Sequence, residues 1–354
     1  MRKASFRLLI LLILVIPLAA CRSRSNETSA TGTKGATKSG ILSKVQSRGK
    51  LVCGVSGNLP GFSVVDQSGK YSGLDVDVCR AIAVAIFNDP EKIEYRNLNT
   101  KERFTAVQAG EVDILSRNTT WTLSRDTSNG LEFAPTVFYD GQGMMVQKNS
   151  GIKSLKDFEG KSICVQTGTT NEQNLADAMR KINVKYKPIV FEEVNATFEA
   201  YGQGRCQGVT SDRSQLVSRR SVLKNPNDHE LLKEVMSKEP LAPAVVNGDS
   251  QWFDLVKWTV YTLIQAEELG IDSKNVDQQL QSTDPVVKRF LGTEGDLGKG
   301  LGVTNDFAVR IIKTVGNYGE IYNRHLGPNT PFKLERGQNN IWDKGGLMYS
   351  PPFR

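Results

Sequence analysis

Two rhythms of apolar positions alternate along most of this chain. Across Gly49–Val55, Leu51, Cys53 and Val55 fall on one face, the period-two spacing of a strand. From about Leu74, Val76, Cys79, Ile82, Ala83 and Ile86 recur at the spacing of one helical face. The pair of rhythms then repeats, with a strand around Ile93–Tyr95, a helix near Lys101–Ala109 closed by Gly110, and a strand at Val112–Leu115. A second set follows Gly151. It reads as a short helix at Lys153–Phe158, a strand at Lys161–Gln166, and a helix opening at Gly168–Asn171 and running towards Lys181. A strand at Ile189–Phe191, a helix at Ala196–Gly202 and a short strand end at Val209–Asp212 complete that set.

Alternating strands and helices predict a largely parallel α/β sheet, with ligands bound beyond the carboxyl ends of its strands. Pro240 and Pro243 punctuate the otherwise apolar Lys238–Val245 and mark it as a crossover or sheet edge. Its natural partner is Gly143–Gln147, so the chain is expected to leave one domain at 143–147 and return at 238–245. The resulting division is 41–145 for a first lobe, 146–240 for an inserted second lobe, 241–327 for the return, and 328–354 for a tail. In the return, Asp249 or Ser250 caps a helix striped by Trp252, Val256, Val260 and Leu263 and ended by Gly270. Short helical turns, including Val286–Leu291, fill 272–304. A last helix is predicted from Asp306 to His325, and the tail is expected to pack through Trp342, Tyr349 and Phe353.

The first forty residues break both rhythms. Arg2, Lys3 and Arg7 precede an apolar run from Leu8 to Ile16, too short for a membrane span of roughly 20 residues and built like a secretory signal over 1–20. Leu18-Ala19-Ala20-Cys21 resembles a bacterial lipobox, which makes Cys21 a candidate lipidated residue and places the protein in the periplasm or cell envelope. Residues 22–40 carry no large apolar side chain and read as a flexible tether.

The remaining composition excludes as much as it suggests. The chain of 354 residues carries 45 basic and 38 acidic residues, a formal charge of +7, with no long basic run or basic–aromatic stripe, so nucleic acid is not an expected partner. Beyond Cys21 lie Cys53, Cys79, Cys164 and Cys206, an even number in an oxidising compartment. Cys79 sits on the core side of its helix and Cys53 on the sheet face beneath, which favours Cys53–Cys79 and leaves Cys164–Cys206. There is no CxxC, and only His229 and His325 could join the cysteines, so no metal site is expected. No Walker loop, GxGxxG, GxSxG or HExxH occurs, and no cofactor is expected.

Candidate chemistry concentrates in loops at predicted strand ends. Between Asp113 and Pro135 a short apolar run opens into a loop rich in hydroxyls and amides that carries Arg117 and Arg125. A fixed guanidinium beside neutral donors suits a small carboxylate. In the second set, Thr169 with Glu172 or Thr170 with Gln173 could form a capping box, and the amides there make an anion seat. Asp212 ends a strand and is either a ligand group or the cap of the segment that follows.

Long strings now carry a resemblance: GLDVDVCRAIA, KERFTAVQAGEVDILSRNTTWTLSRDTS, FYDGQGMMV, CVQTGTTNEQNLAD, DSQWFDLVKWT and the closing GGLMYSPPFR. They are similar to the general L-amino-acid-binding branch of the extracytoplasmic solute-binding proteins of ABC importers, from Gly49 to Arg354. The resemblance implies a two-lobed type II periplasmic binding fold, α/β, with two hinge crossovers and a ligand cleft. It implies a monomer that captures free L-amino acids and delivers them to ABC permease subunits of the inner membrane, served by a separate ATPase. By the same resemblance Arg125 takes the α-carboxylate, supported by Asn118, Thr120, Gly168, Thr169 and Thr170, and Asp212 takes the α-ammonium. Phe62 matches the aromatic of the side-chain pocket, with Trp121 and Tyr139 as further wall candidates. Arg117 becomes scaffold or cleft rim, and no second charged residue is identifiable for the ligand's side chain. The alternatives are an enzyme of the same fold, a dehydratase of cyclic acids, for which Glu102, Asp126, Asp140 and Glu172 offer no paired-acid constellation, and a binder of opines or polyamines.

Overall fold

The computed structural model describes residues 40–354. The signal segment 1–20, Cys21 and the tether up to residue 39 lie outside the described residues. Two sheets organise the rest. The first has five strands in the order Ile93–Asn97, Leu51–Val55, Ile114–Leu115, Ala244–Val246 and Leu131–Phe133. Its first three strands are parallel, and the returning Ala244–Val246 runs antiparallel to its neighbours. The second orders Lys187–Phe191, Ser162–Gln166, Gly208–Asp212, Phe138–Gln147 and His229–Leu231, with Lys238–Leu241 also pairing the long strand. We refer to the parts built on these sheets as lobe 1 and lobe 2.

Sequence accounts directly for the central strand–helix unit. Leu51–Val55 is buried along its whole length, between two parallel neighbours. The helix Leu74–Phe87 follows Gly73, whose φ of 133° and backbone packing admit no side chain, since a Cβ there would meet the Phe62 carbonyl oxygen at 2.1 Å. Cys53 and Cys79 bond strand to helix, and in lobe 2 Cys164 of the strand Ser162–Gln166 is bonded to Cys206 in the turn before Gly208–Asp212. Each crosslink is worth about 3–4 kcal/mol by loop entropy.

Alternation along one strand divides the core of lobe 2. Met144 and Val146 face the helix Thr170–Lys181 with Leu175 and Met179, while Met145 faces Phe198, Tyr201 and Leu216 on the other side. Lobe 1 keeps a larger core, in which Trp252, Phe290, Phe307 and Tyr322 from the carboxyl-terminal helices are buried.

Three expectations change. Gly143–Gln147 is not the partner of the returning strand, because its backbone is taken by Gly208–Asp212 and His229–Leu231 inside lobe 2. The two crossovers pair instead at 138–141 with 238–241, and from Gln142 onward the same strand pairs with Gly208–Asp212. Pro240 stands opposite Tyr139, whose N–H and carbonyl are both served by the Asn339 side chain at 2.6 and 3.1 Å, so the proline's missing donor leaves no ladder bond unmade. The predicted helix from Asp306 to His325 is two helices, Phe307–Thr314 and Tyr318–His325, broken at Gly316 and restarted by a capping box between Asn317 and Glu320. In the tail, Phe353 packs edge-on against Trp258 and Phe290, but Trp342 and Tyr349 stay exposed, edge-on to each other.

Candidate functional site

A buried cleft lies where the carboxyl ends of the lobe 1 strands face the start of the helix Thr170–Lys181 and the end of Gly208–Asp212. It leaves about 20 Å³ of free space, on the order of one water. The lobes touch directly around it. Thr100 donates to the Thr167 carbonyl at 2.9 Å, Asn118 to Gln215 at 3.2 Å, and Ser218 to the Pro60 carbonyl at 2.7 Å. Lys101 pairs with Glu192 at 3.0 Å on the rim.

Lobe 1 supplies the cations. Arg103, Arg117 and Arg125 all line the cleft, each at least nine-tenths buried. None of the three stands in an ion pair among the described residues. Arg125 donates to the Thr120 carbonyl at 2.8 Å and shares the Phe104 ring with Arg103. Arg117 donates to the Leu98 carbonyl at 2.7 Å. Burial presses the Arg117 guanidinium down to about 10, opposed mainly by nearby Asp75, whose own carboxyl burial raises to about 7. Burial, with the repulsion of Arg117 and Arg125, presses hardest on Arg103, whose Nε has no partner. Its other donors make only long contacts, 3.4 Å to the Thr119 hydroxyl and 3.4 Å to the Gly168 carbonyl. A guanidinium keeps its charge, so this arrangement calls for an anion.

Lobe 2 supplies the counterpart. Thr169 caps its helix by accepting from the Glu172 N–H at 3.2 Å, but the Glu172 carboxylate does not return to the Thr169 N–H, so only the cap half of the first expected box forms. The Gly168 N–H is spent on the Glu172 carboxylate at 3.2 Å, and Gly168 itself does not line the cleft. The Thr170 and Asn171 N–H groups are left without partners among the described residues, and both residues line the cleft. Asp212 is buried there and accepts from Asn171 at 2.9 Å. Burial and the charges of Asp140 and Glu239 hold its carboxyl well above the usual range. A cation beside it would relieve that cost.

The predicted residues therefore separate. Arg125, Asn118, Thr120, Thr169, Thr170 and Asp212 meet at one cleft, with Asn118 held at a φ of 30° by its N–H bond to Asp75. Phe62 does not join them. It is packed edge-on against Phe138 in the lobe 1 core, and Leu59 and Val194 form the apolar wall in its place. Trp121 lies half-exposed over Phe133, and Tyr139 belongs to the crossover. Arg117 reaches the cleft itself. Arg103 had no assigned role, yet its helix carried the signal: Arg103, Ala106 and Val107 form one buried face, and an arginine on an apolar stripe needs a reason.

A family model for bacterial extracellular solute-binding proteins, family 3, matches residues 51–278. The general L-amino acid-binding periplasmic protein AapJ of Rhizobium johnstonii is 52% identical over 92% of this chain and 96% of its own. The glutamate/glutamine/aspartate/asparagine-binding protein BztA of Rhodobacter capsulatus is 46% identical over 90% of this chain and 95% of its own. An ABC transporter periplasmic binding protein from Brucella ovis, solved with glutathione bound, superposes with a TM-score of 0.87 at 50% identity, covering 89% of this chain and 99% of that one.

Proposed function

The chain belongs to the bacterial extracellular solute-binding proteins of family 3, and from that premise we propose that it captures free L-amino acids by lobe closure and delivers them to an ABC-type importer. One observation carries the reading: unpaired guanidiniums and free helix-start amides share a buried cleft with a single lining carboxylate. A free amino acid is a zwitterion and needs both signs at a fixed spacing. Arg125 and the Thr170 and Asn171 amides take its carboxylate, and Asp212 takes its ammonium. Because these groups stand on different lobes, ligand favours the closed arrangement by its preference for it. The free space here is smaller than any amino acid, so entry requires the lobes to part or the arginine arms to swing aside.

Arg103 and Arg117 extend the reading to the ligand's side chain. Their free donors favour a carboxylate or carboxamide there, in keeping with the ligands for which the Rhodobacter capsulatus relative is named. Three guanidiniums argue equally against polyamines. Among the described residues Asp212 is the one carboxylate that lines the cleft, and we assign the cleft no chemistry. A monomer tethered through lipidated Cys21 and served by inner-membrane permease subunits with a separate ATPase completes the proposal.

Calorimetry of the purified protein against the twenty amino acids and spermidine is the test. Binding led by glutamate, aspartate, glutamine or asparagine, with ligand recovered unchanged, is expected. Silence towards all twenty, tight binding of spermidine, or product in the mixture overturns it.

A further inference from the structure

Glu239 belongs to the returning crossover, opposite Asp140, and its side chain is fully buried at the junction of the lobes. Four donors converge on it. Oε1 accepts from Asn174 at 2.8 Å and from the Ser237 hydroxyl at 2.5 Å. Oε2 accepts from the Thr120 hydroxyl at 2.6 Å and from the Thr170 hydroxyl at 2.8 Å. Those two hydroxyls come from different lobes, lie 3.4 Å apart, and both belong to residues lining the cleft. A hydroxyl has one proton and two lone pairs, whereas a carboxylate has only lone pairs. Each threonine must therefore spend its proton on Glu239, and the face it turns to the cleft can only accept.

We propose that Glu239 is a positioning residue that fixes the hydroxyl polarity of Thr120 and Thr170, so that with Asp212 they form a pole for the ligand's ammonium, while rejecting ligands that carry an acceptor there. The inference rests on the amino-acid reading and goes beyond it. Selection for a primary ammonium is built into a hinge residue that itself does not line the cleft. It also moves Thr120 and the Thr170 side chain away from the carboxylate role that the resemblance implied, leaving Thr170 to meet the carboxylate through its backbone N–H.

Glu239→Gln tests the polarity. With the Gln oxygen kept towards Asn174 and Ser237, its amide donates to both threonine oxygens, and their protons turn into the cleft. Affinity is measured for L-glutamate, or whichever of the twenty binds most tightly, and for the matching 2-hydroxy acid titrated to millimolar concentration. The amino acid is expected to weaken roughly 10- to 100-fold, the range for losing a hydrogen bond to a charged group. The hydroxy acid is expected to hold or improve, so the ratio between them narrows by at least about tenfold. Equal weakening of both, or no change in the amino acid, overturns the inference. If the hydroxy acid is silent with both proteins, the outcome is decided by repeating Glu239→Gln in a Thr120→Val, Thr170→Val background. There an amino-acid loss under about twofold supports the inference, and the full loss overturns it. If Glu239→Gln does not fold, the Thr120→Val and Thr170→Val variants are read for the same narrowing, and parallel losses overturn it. Failure of every amino acid to bind the unaltered protein strikes the functional proposal instead.

Discussion

The two walls of the cleft are built on different principles. Lobe 1 presents charge on long side chains: three guanidiniums carried by the short helices Arg103–Gln108 and Leu123–Thr127 and the loop between them, and steadied by carbonyls and the Phe104 ring. Lobe 2 presents short, stiff groups, namely two backbone amides at a helix start and one carboxylate at a strand end. A cation that reaches across can adapt to the ligand, whereas an amide or a strand-end aspartate cannot. Lobe 1 is therefore suited to reading the ligand's variable part and lobe 2 to reading the part every amino acid shares. In the proposed arrangement Arg125 and the Thr120 hydroxyl are the lobe 1 groups that meet the shared part.

Several substitutions can break that division of labour. Arg125→Ala should have the largest effect on binding, a loss of about 3–4 kcal/mol for every amino acid, because it removes one partner of a buried charged pair. Retained binding by calorimetry would show that the carboxylate sits elsewhere. Asp212→Asn should cost about 1.5–3 kcal/mol for every amino acid alike, and a change in ranking instead would transfer Asp212 to the side-chain end.

Titration gives a gentler version of the same test. With the Asp212 carboxyl raised by burial in the folded protein, binding of an ammonium must ionise it, so affinity should rise with pH and protons should be released on binding. Without ligand the sign reverses. Asp75, raised to about 7 from 3.8, and Asp212 hold protons in the folded chain that the unfolded chain has lost above pH 4. Stability should thus fall as pH rises from about 4 through 7. Thermal melts that rise over that interval would refute the assignment.

Arg103→Met should narrow the preference for acidic over neutral side chains by about tenfold while raising the ligand-free melting temperature, since a buried charge without an anionic partner is removed. An unchanged ranking would return Arg103 to the scaffold. Phe62→Ala should have the smallest effect on ranking, none, at a cost of about 3–5 kcal/mol in stability. Altered selectivity there would put the ring back in the pocket.

What the sequence made legible follows the range of the interactions concerned. Leu51–Val55 and Leu74–Phe87 declare themselves by local period, and Cys79 shows its face through its own helix. The break at Gly316 was masked because Phe307, Ile311, Val315 and Tyr318 keep an apolar stripe in step across it, although Asn317 and Glu320 spell a helix start. Phe62 sits in a turn-rich stretch where no period shows which way a ring faces. Glu239 was invisible for a different reason. Its four donors come from residues 120, 170, 174 and 237, and no local pattern foretells that such distant positions converge.

Asn339 holds the backbone of Tyr139 at the crossover from two hundred residues away, through both halves of its amide. A lobe opening that twisted this strand would require the segment around Asn339 either to follow or to let go. It is placed to act as a torsion gauge. A fluorophore attached at exposed Trp342, three residues beyond, would report lobe motion from the outer surface without touching the ligand cleft.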